Sequence, residues 1–197
     1  MVAERPTDGT PPPPSDGAGR PSALPRLIDL VGPARERAVP VIRDGFVGIY
    51  RWHAKRTLRE VPIVRALEAR GEVIGVSLLD LLVPEVGYVY YLMVRSEHRR
   101  HGLGGLLLDD ALTIFRTRAV EVVYGAVQTD NAPSLSLFSR RGFREVARKE
   151  TGWREGGLGA WGLRSRMWLV PGERLLGLRL APSGATVPRP GGSAGAD

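Results

Sequence analysis

The segment Val94 to Leu112, VRSEHRRHGLGGLLLDDAL, limits the possible folds of this chain more than any other. An apolar, β-prone run ends at Val94, a basic glycine-rich turn follows, and apolar residues then recur at helical spacing. The first turn of a helix has amide N–H groups without intrahelical partners, and the helix dipole adds partial positive charge there. Gly102 and Gly104 remove the Cβ atoms that would keep a diphosphate away, while Arg99, Arg100 and His101 add charge around it. The pattern is not the triphosphate P-loop, because Leu106 follows Gly104-Gly105 where Lys-Ser/Thr would be needed. Nor is it the dinucleotide GxGxxG, because Leu107 holds the last glycine position. A plain strand-to-helix turn would also use glycine, but it has no need of Arg-x-x-Gly-x-Gly.

The two ends have a different composition. Residues 1–26 carry PPPPSDGAGRPSALP, and residues 182–197 carry PSGATVPRPGGSAGAD. Such segments cannot bury enough surface to offset their ordering entropy, so both are expected to be disordered tails around one domain, 27–181. The chain has no cysteine, and His53, His98 and His101 are too few and scattered for a zinc site, so no metal is expected. No apolar run reaches membrane-spanning length and no leader-like apolar segment opens the chain, which sets the expectation of a cytoplasmic protein with no membrane partner. The net charge of +7 invites a nucleic-acid reading. However, the basic residues are spread along the chain, and only Lys55 and Lys149 among them are lysine, so a nucleic-acid partner is not expected.

Within the domain, Ala38 to Glu60 has Ile42, Phe46, Ile49 and Tyr50 on one helical face, with His53 and Thr57 further along; Gly45 and Gly48 interrupt it. Strands are expected over Ile63–Glu68, Val73–Leu82 and Gly87–Val94, with a turn at Arg70-Gly71. A buried helix follows over Gly102–Arg118, then a strand over Val120–Val127 and a short helix over Ala132–Arg141 that ends at Gly142. Phe143–Lys149 and Arg164–Val170 read as two late strands, and Glu173–Leu180 as an edge strand or a partner contact. The order β-β-β-α-β-α-β-β is that of an α/β fold, a mixed sheet flanked by helices.

Two motifs together resemble the GNAT-type N-acetyltransferase family. The first is Arg99-x-x-Gly102-x-Gly104, preceded by Leu92-x-Val94. The second is Asn131-Ala-Pro-Ser134-Leu-Ser-Leu137-Phe138-Ser-Arg-Arg-Gly142-Phe143, which is similar to the family's Asn-x-x-Ala/Ser-x-x-Leu-Tyr-x-x-x-Gly-Phe. The resemblance spans about residues 63 to 170 and implies a mixed sheet of six or seven strands split by acetyl-CoA. It also implies a cofactor site. Backbone groups of Leu92, Met93 and Val94 would pair with pantetheine; Arg99, Arg100, His101, Gly102, Leu103, Gly104 and Gly105 would hold the diphosphate; Asn131 and Phe138 would lie beside the arm. Asn131 reads equally as an N-cap ahead of Pro133.

The chain also departs from the family pattern. Phe138 stands where a tyrosine would protonate the leaving thiolate, and Ala126 stands at a glutamate position. An amine is protonated at neutral pH and must lose a proton before attack. Glu85, at the strand mouth after Pro84, and Tyr88, at the family's other base position, are the expected catalytic residues. Glu97, Asp109 and Asp110 read as solvated or structural carboxylates. The loop Gly152–Gly162 and the Ala38–Glu60 helix are expected to select the acceptor, a small-molecule or peptide amine. An acyl-CoA-binding domain with little or no turnover and a basic nucleic-acid-binding protein are the two rival readings, and a homodimer is left open.

Overall fold

The computed structural model describes residues 24–146, 166–167 and 169–181. The predicted tails and the Gly152–Gly162 loop therefore lie outside the described residues, apart from Leu24 to Arg26. In chain order the elements are β1 (Arg26–Asp29), a 3-10 helix (Gly32–Ala38), α1 (Val39–Gly45), α2 (Gly48–Glu60), β2 (Ile63–Ala69), β3 (Glu72–Val83), β4 (Val86–Val94) and a 3-10 turn (Ser96–His98). They continue as α3 (Leu103–Thr117), β5 (Val122–Gln128), α4 (Ala132–Ser139), β6 (Arg144–Glu145) and β7 (Glu173–Arg179). Seven strands form one sheet among these residues, in the order β1-β2-β3-β4-β5-β7-β6. All pairings are antiparallel except β4 with β5. No helix among the described residues is long and apolar enough to cross a membrane.

Four expectations need correction. The Ala38–Glu60 helix is two helices, because Phe46 and Val47 are extended and Gly48 re-enters helix with φ +54°. Arg26, placed at the end of the N-terminal tail, opens β1, where it pairs with Glu68 of β2. Arg166 and Met167, placed in a late strand, are helical. Glu173–Arg179 is no edge strand: β5 lies on one side of it and β6 on the other.

Both faces of the sheet are covered. The 3-10 helix, α1 and α2 enclose Leu30, Val41, Ile42, Leu58, Val76, Leu78 and Met93 on one face. On the other, Leu108, Leu112 and Phe115 of α3 pack with Val89, Val123 and Leu176. The apolar stripe of α3 supplies that layer, as its spacing predicts.

A β-bulge in β4 sets the geometry of the site. Tyr91 lies opposite Leu78 and Val89 opposite Leu79, so Tyr90 is an extra residue without a partner on β3. Before the bulge, Tyr88 faces the α2 side and Val89 the α3 side. Past it the alternation is reset, so Tyr91 and Met93 face the α1–α2 layer while Leu92 and Val94 face α3. Tyr88, Tyr90 and Tyr91 consequently crowd one face.

Candidate active site

The parallel pairing of β4 with β5 runs from Val86↔Val122 to Val89↔Gly125 and stops there. Beyond that point β4 continues with β3, and β5 continues with β7 as far as Gln128↔Glu173. The two strands part, and a cleft opens between them, walled by Tyr91, Leu92, Ala126, Gln128, Asn131 and Phe138. The amide of Arg95 donates to the carbonyl of Ile74 at 2.9 Å, which makes this a hydrogen-bonded antiparallel pair. Period-two alternation then turns the backbone groups of Met93 toward β3 and those of Leu92 and Val94 toward the cleft. The expected pantetheine contacts therefore fall on Leu92 and Val94. Met93 instead contributes a buried side chain to the α1–α2 layer.

The glycine-rich turn follows directly. Gly102 is the N-cap of α3 with φ +77°, a left-handed conformation suited to glycine, and no side chain caps the helix. The first intrahelical bond runs from the Leu106 amide to the Gly102 carbonyl at 3.2 Å. The amides of Leu103, Gly104 and Gly105 precede it and point out of the helix end, where the dipole favours an anion. The Nε of Arg99 donates to the Val94 carbonyl at 2.9 Å, which holds the guanidinium beside this end. Arg100 and His101 are exposed on the same turn. Asp44, near the end of α1, accepts from the amide of Ser96 at 2.6 Å and from its hydroxyl at 3.0 Å, and lies 3.7 Å from Arg99. These contacts hold its carboxyl below the usual range, the Ser96 amide contributing most.

Asn131 is the N-cap of α4, its Oδ1 accepting from the Ser134 amide at 3.2 Å, and it also lines the cleft, so both of its expected positions coincide. Asn131→Ala is expected to lower stability by about 1 kcal/mol, and Asn131→Asp to retain most of it, in a urea titration. Equal loss in both variants would remove the cap from the account. Phe138 is buried against Phe143, with ring centroids 4.8 Å apart, and gives the cleft an apolar wall.

The two expected proton-handling residues are not brought to the cleft in usable form. Glu85 sits in the β3–β4 turn, at the closed end of the β4–β5 pair, where its carbonyl accepts from the amides of Glu121 and Val122. Four residues of strand, roughly 13 Å, separate it from Val89, where the strands part. Counting residues back from the turn does not reveal which end of the strand pair opens. Tyr88 does border the cleft, but its ring is buried and its hydroxyl donates to the Met167 carbonyl at 2.9 Å. Burial pushes its pKa well up, so it cannot accept a proton near neutrality. Tyr90 is likewise engaged, donating to the Arg166 carbonyl at 2.6 Å, and burial raises its pKa to about 12.

Sequence reasoning passed over two residues in the cleft wall, His53 and Glu173. The Nδ1 of His53 lies 2.6 Å from the Tyr91 hydroxyl and 3.3 Å from Thr57 Oγ1. Glu173 accepts from the Val170 amide at 3.1 Å and from the Tyr50 hydroxyl at 3.5 Å, and burial raises its pKa. The sequence places His53 on one face with Phe46 and Tyr50 but does not show its partner; in the fold the rings of Phe46 and His53 face Tyr91 across the layer.

Known proteins share this fold. A region of 96 residues is 31% identical to an L-methionine sulfoximine/L-methionine sulfone acetyltransferase of Pseudomonas aeruginosa, covering 47% of this chain and 56% of that relative. The chain thus spans only about half of that relative's length. Among solved structures, the ribosomal-protein-S18-alanine N-acetyltransferase of Escherichia coli superposes with a TM-score of 0.61 at 17% identity, over 83% of this chain and 99% of that one. A GNAT family acetyltransferase from Elizabethkingia anophelis with acetyl-CoA bound gives 0.58 at 14%, over 80% and 99%. These structural likenesses speak for the fold, while the model of the acetyltransferase (GNAT) family matches the sequence itself over residues 29–143. Carrying both the parted strands and the glycine turn inside that match, the chain belongs to the acetyltransferase (GNAT) family.

Proposed function

We propose that this protein transfers an acetyl group from acetyl-CoA to an amine by direct attack within a ternary complex. The observation that supports this most is a continuous backbone path. Leu92 and Val94 present polar groups to the cleft, and a few residues on, the amides of Leu103 to Gly105 face the same side of the turn. A pantetheine arm could pair along the first stretch while its diphosphate accepts from the second. The thioester would then lie where β4 leaves β5, near the bulge. Rate acceleration would come mainly from holding amine and thioester together and from backbone amides polarising the carbonyl. The sequence has no cysteine to carry an acyl group. The thiolate, with an unperturbed pKa near ~8.5, leaves without an acid at Phe138.

The acceptor is an amine on a small molecule or a peptide terminus, and both classes occur in the names of similar proteins. A cytoplasmic setting, where acetyl-CoA is made and used, belongs to the same proposal. The test is thiol release from acetyl-CoA with L-methionine sulfone and with a peptide bearing N-terminal alanine. Acceptor-dependent release supports transfer. Tight acetyl-CoA binding with no release on a wide amine panel would instead make this a binding domain.

A further inference from the structure

Two cavities meet at a single pair of side chains. One is the cleft between β4 and β5; the other is an open groove walled by Trp52, Arg56, Glu60, Asp80 and Arg166. His53 and Tyr90 line both. Tyr90 is committed to the Arg166 carbonyl, so His53 is the titratable group at the junction that can gain a proton near neutrality. It also touches the cleft through Tyr91, whose hydroxyl lies 2.6 Å from Nδ1.

We propose that His53 receives the proton of the incoming amine through the Tyr91 hydroxyl, and that the acceptor arrives by the groove between Trp52 and Arg166. The proposal rests on the acetyl-transfer reading given above. In the neutral ring, Tyr91 donates to Nδ1 and Nε2 carries the ring proton. The ammonium gives a proton to the Tyr91 oxygen as the Tyr91 proton moves to Nδ1, so Tyr91 stays neutral and His53 becomes imidazolium. The freed lone pair forms the N–C bond to the acetyl carbonyl, the C–S bond breaks, and its electron pair leaves on sulfur. A second proton, shed by nitrogen as the amide forms, neutralises the thiolate, and the imidazolium returns its proton to water in the groove.

The surroundings suit this cycle. Burial, then the nearby Arg56, hold the imidazole below its ordinary 6.5, with Glu60 opposing them. His53 is thus unprotonated at neutral pH and gives up an acquired proton readily. Burial raises Tyr91, which keeps it a relay and not a base. Other groups face this layer from neighbouring elements: Asp80 on β3 with Arg166 against it at 3.3 Å, and Glu173 on β7 with Tyr50. Glu173 is the competing proton acceptor.

The test is the pH dependence of kcat/KM with acetyl-CoA and the better of the two acceptors named above, in wild type, His53→Gln, Tyr91→Phe and Glu173→Gln. Wild type should lose activity as pH falls, with an apparent pKa below 6.5. His53→Gln should fall on the order of 10²-fold at pH 7 and recover toward high pH, where the amine arrives deprotonated. Tyr91→Phe should follow it, while Glu173→Gln keeps the acid limb. Acetyl-CoA Kd should be unchanged in all, which separates proton handling from misfolding. Wild-type kcat/KM in His53→Gln, or a pH-independent loss accompanied by weakened Kd, overturns the role of His53 and leaves acetyl transfer standing. An acid limb abolished by Glu173→Gln but kept by His53→Gln hands the step to Glu173 and also overturns it. No turnover in wild type despite acetyl-CoA binding sinks the transfer reading itself, and this one with it.

Discussion

Gly104→Asp should weaken acetyl-CoA binding at least about 100-fold, two orders being roughly 2.7 kcal/mol, while leaving the fold intact. Gly104 is the second residue of α3, and a Cβ there would meet Leu137 and Leu92 at 3.4 and 3.5 Å, close to ordinary contact. A carboxylate in the first turn of a helix is favourable to the helix itself. The same charge competes for the amides of Leu103 to Gly105 and repels an incoming diphosphate, so stability and binding move in opposite directions. Titration calorimetry with acetyl-CoA beside a thermal melt reads both. A wild-type Kd in this variant would mean that the glycine turn does not hold the diphosphate.

Phe115→Ala should cost about 3–5 kcal/mol of stability and lower Tm by roughly 10 °C. The ring is fully buried and lies over Gly87, where an added Cβ would stand 2.7 Å from it. That contact presses α3 onto the start of β4, beside the residues paired with β5. Phe115→Leu should lose much less, because it fills most of the same volume. Phe115 lies at the closed end of the strand pair, away from the cleft, so acetyl-CoA Kd well below Tm should hardly change. A Tm drop of only a degree or two would show that the layer re-forms around the missing ring.

Much of this architecture is legible in the sequence because it is local. The β2–β3 hairpin, α3 and α4 lie within about three residues of their expected bounds, since apolar period, Arg70-Gly71, Asn131 and Gly142 are signals carried within each segment. β1 and β7 are a different case. RLID adjoins a proline-rich tail and becomes a strand by lying against β2, some forty residues on. ERLLGLR has charged ends and a glycine, and its strand character comes from β5 on one flank and β6 on the other. The site divides in the same way. The glycine turn is written in consecutive residues and is readable. A lone histidine on a helix carries no local mark, and His53 gains meaning only from Tyr91, which the fold brings to it from another element. Glu85 shows the converse: its place after Pro84 suggests an open mouth, and the direction of strand parting puts that mouth at the other end.

The extra residue in β4 can be restated as a matter of counting. An unbroken strand shows any one face every second side chain, so three aromatic rings would need five positions. With Tyr90 unpaired, Tyr88, Tyr90 and Tyr91 fit into four, and the phase of everything downstream is inverted. The strand therefore reads in two frames, one that seats its first half against β5 and one that frees its second half. Were Tyr90 instead to pair with β3 in an unbulged ladder, the frames would merge, sending Leu92 and Val94 toward the helices α1 and α2 and turning the backbone groups that now face the cleft back into the sheet.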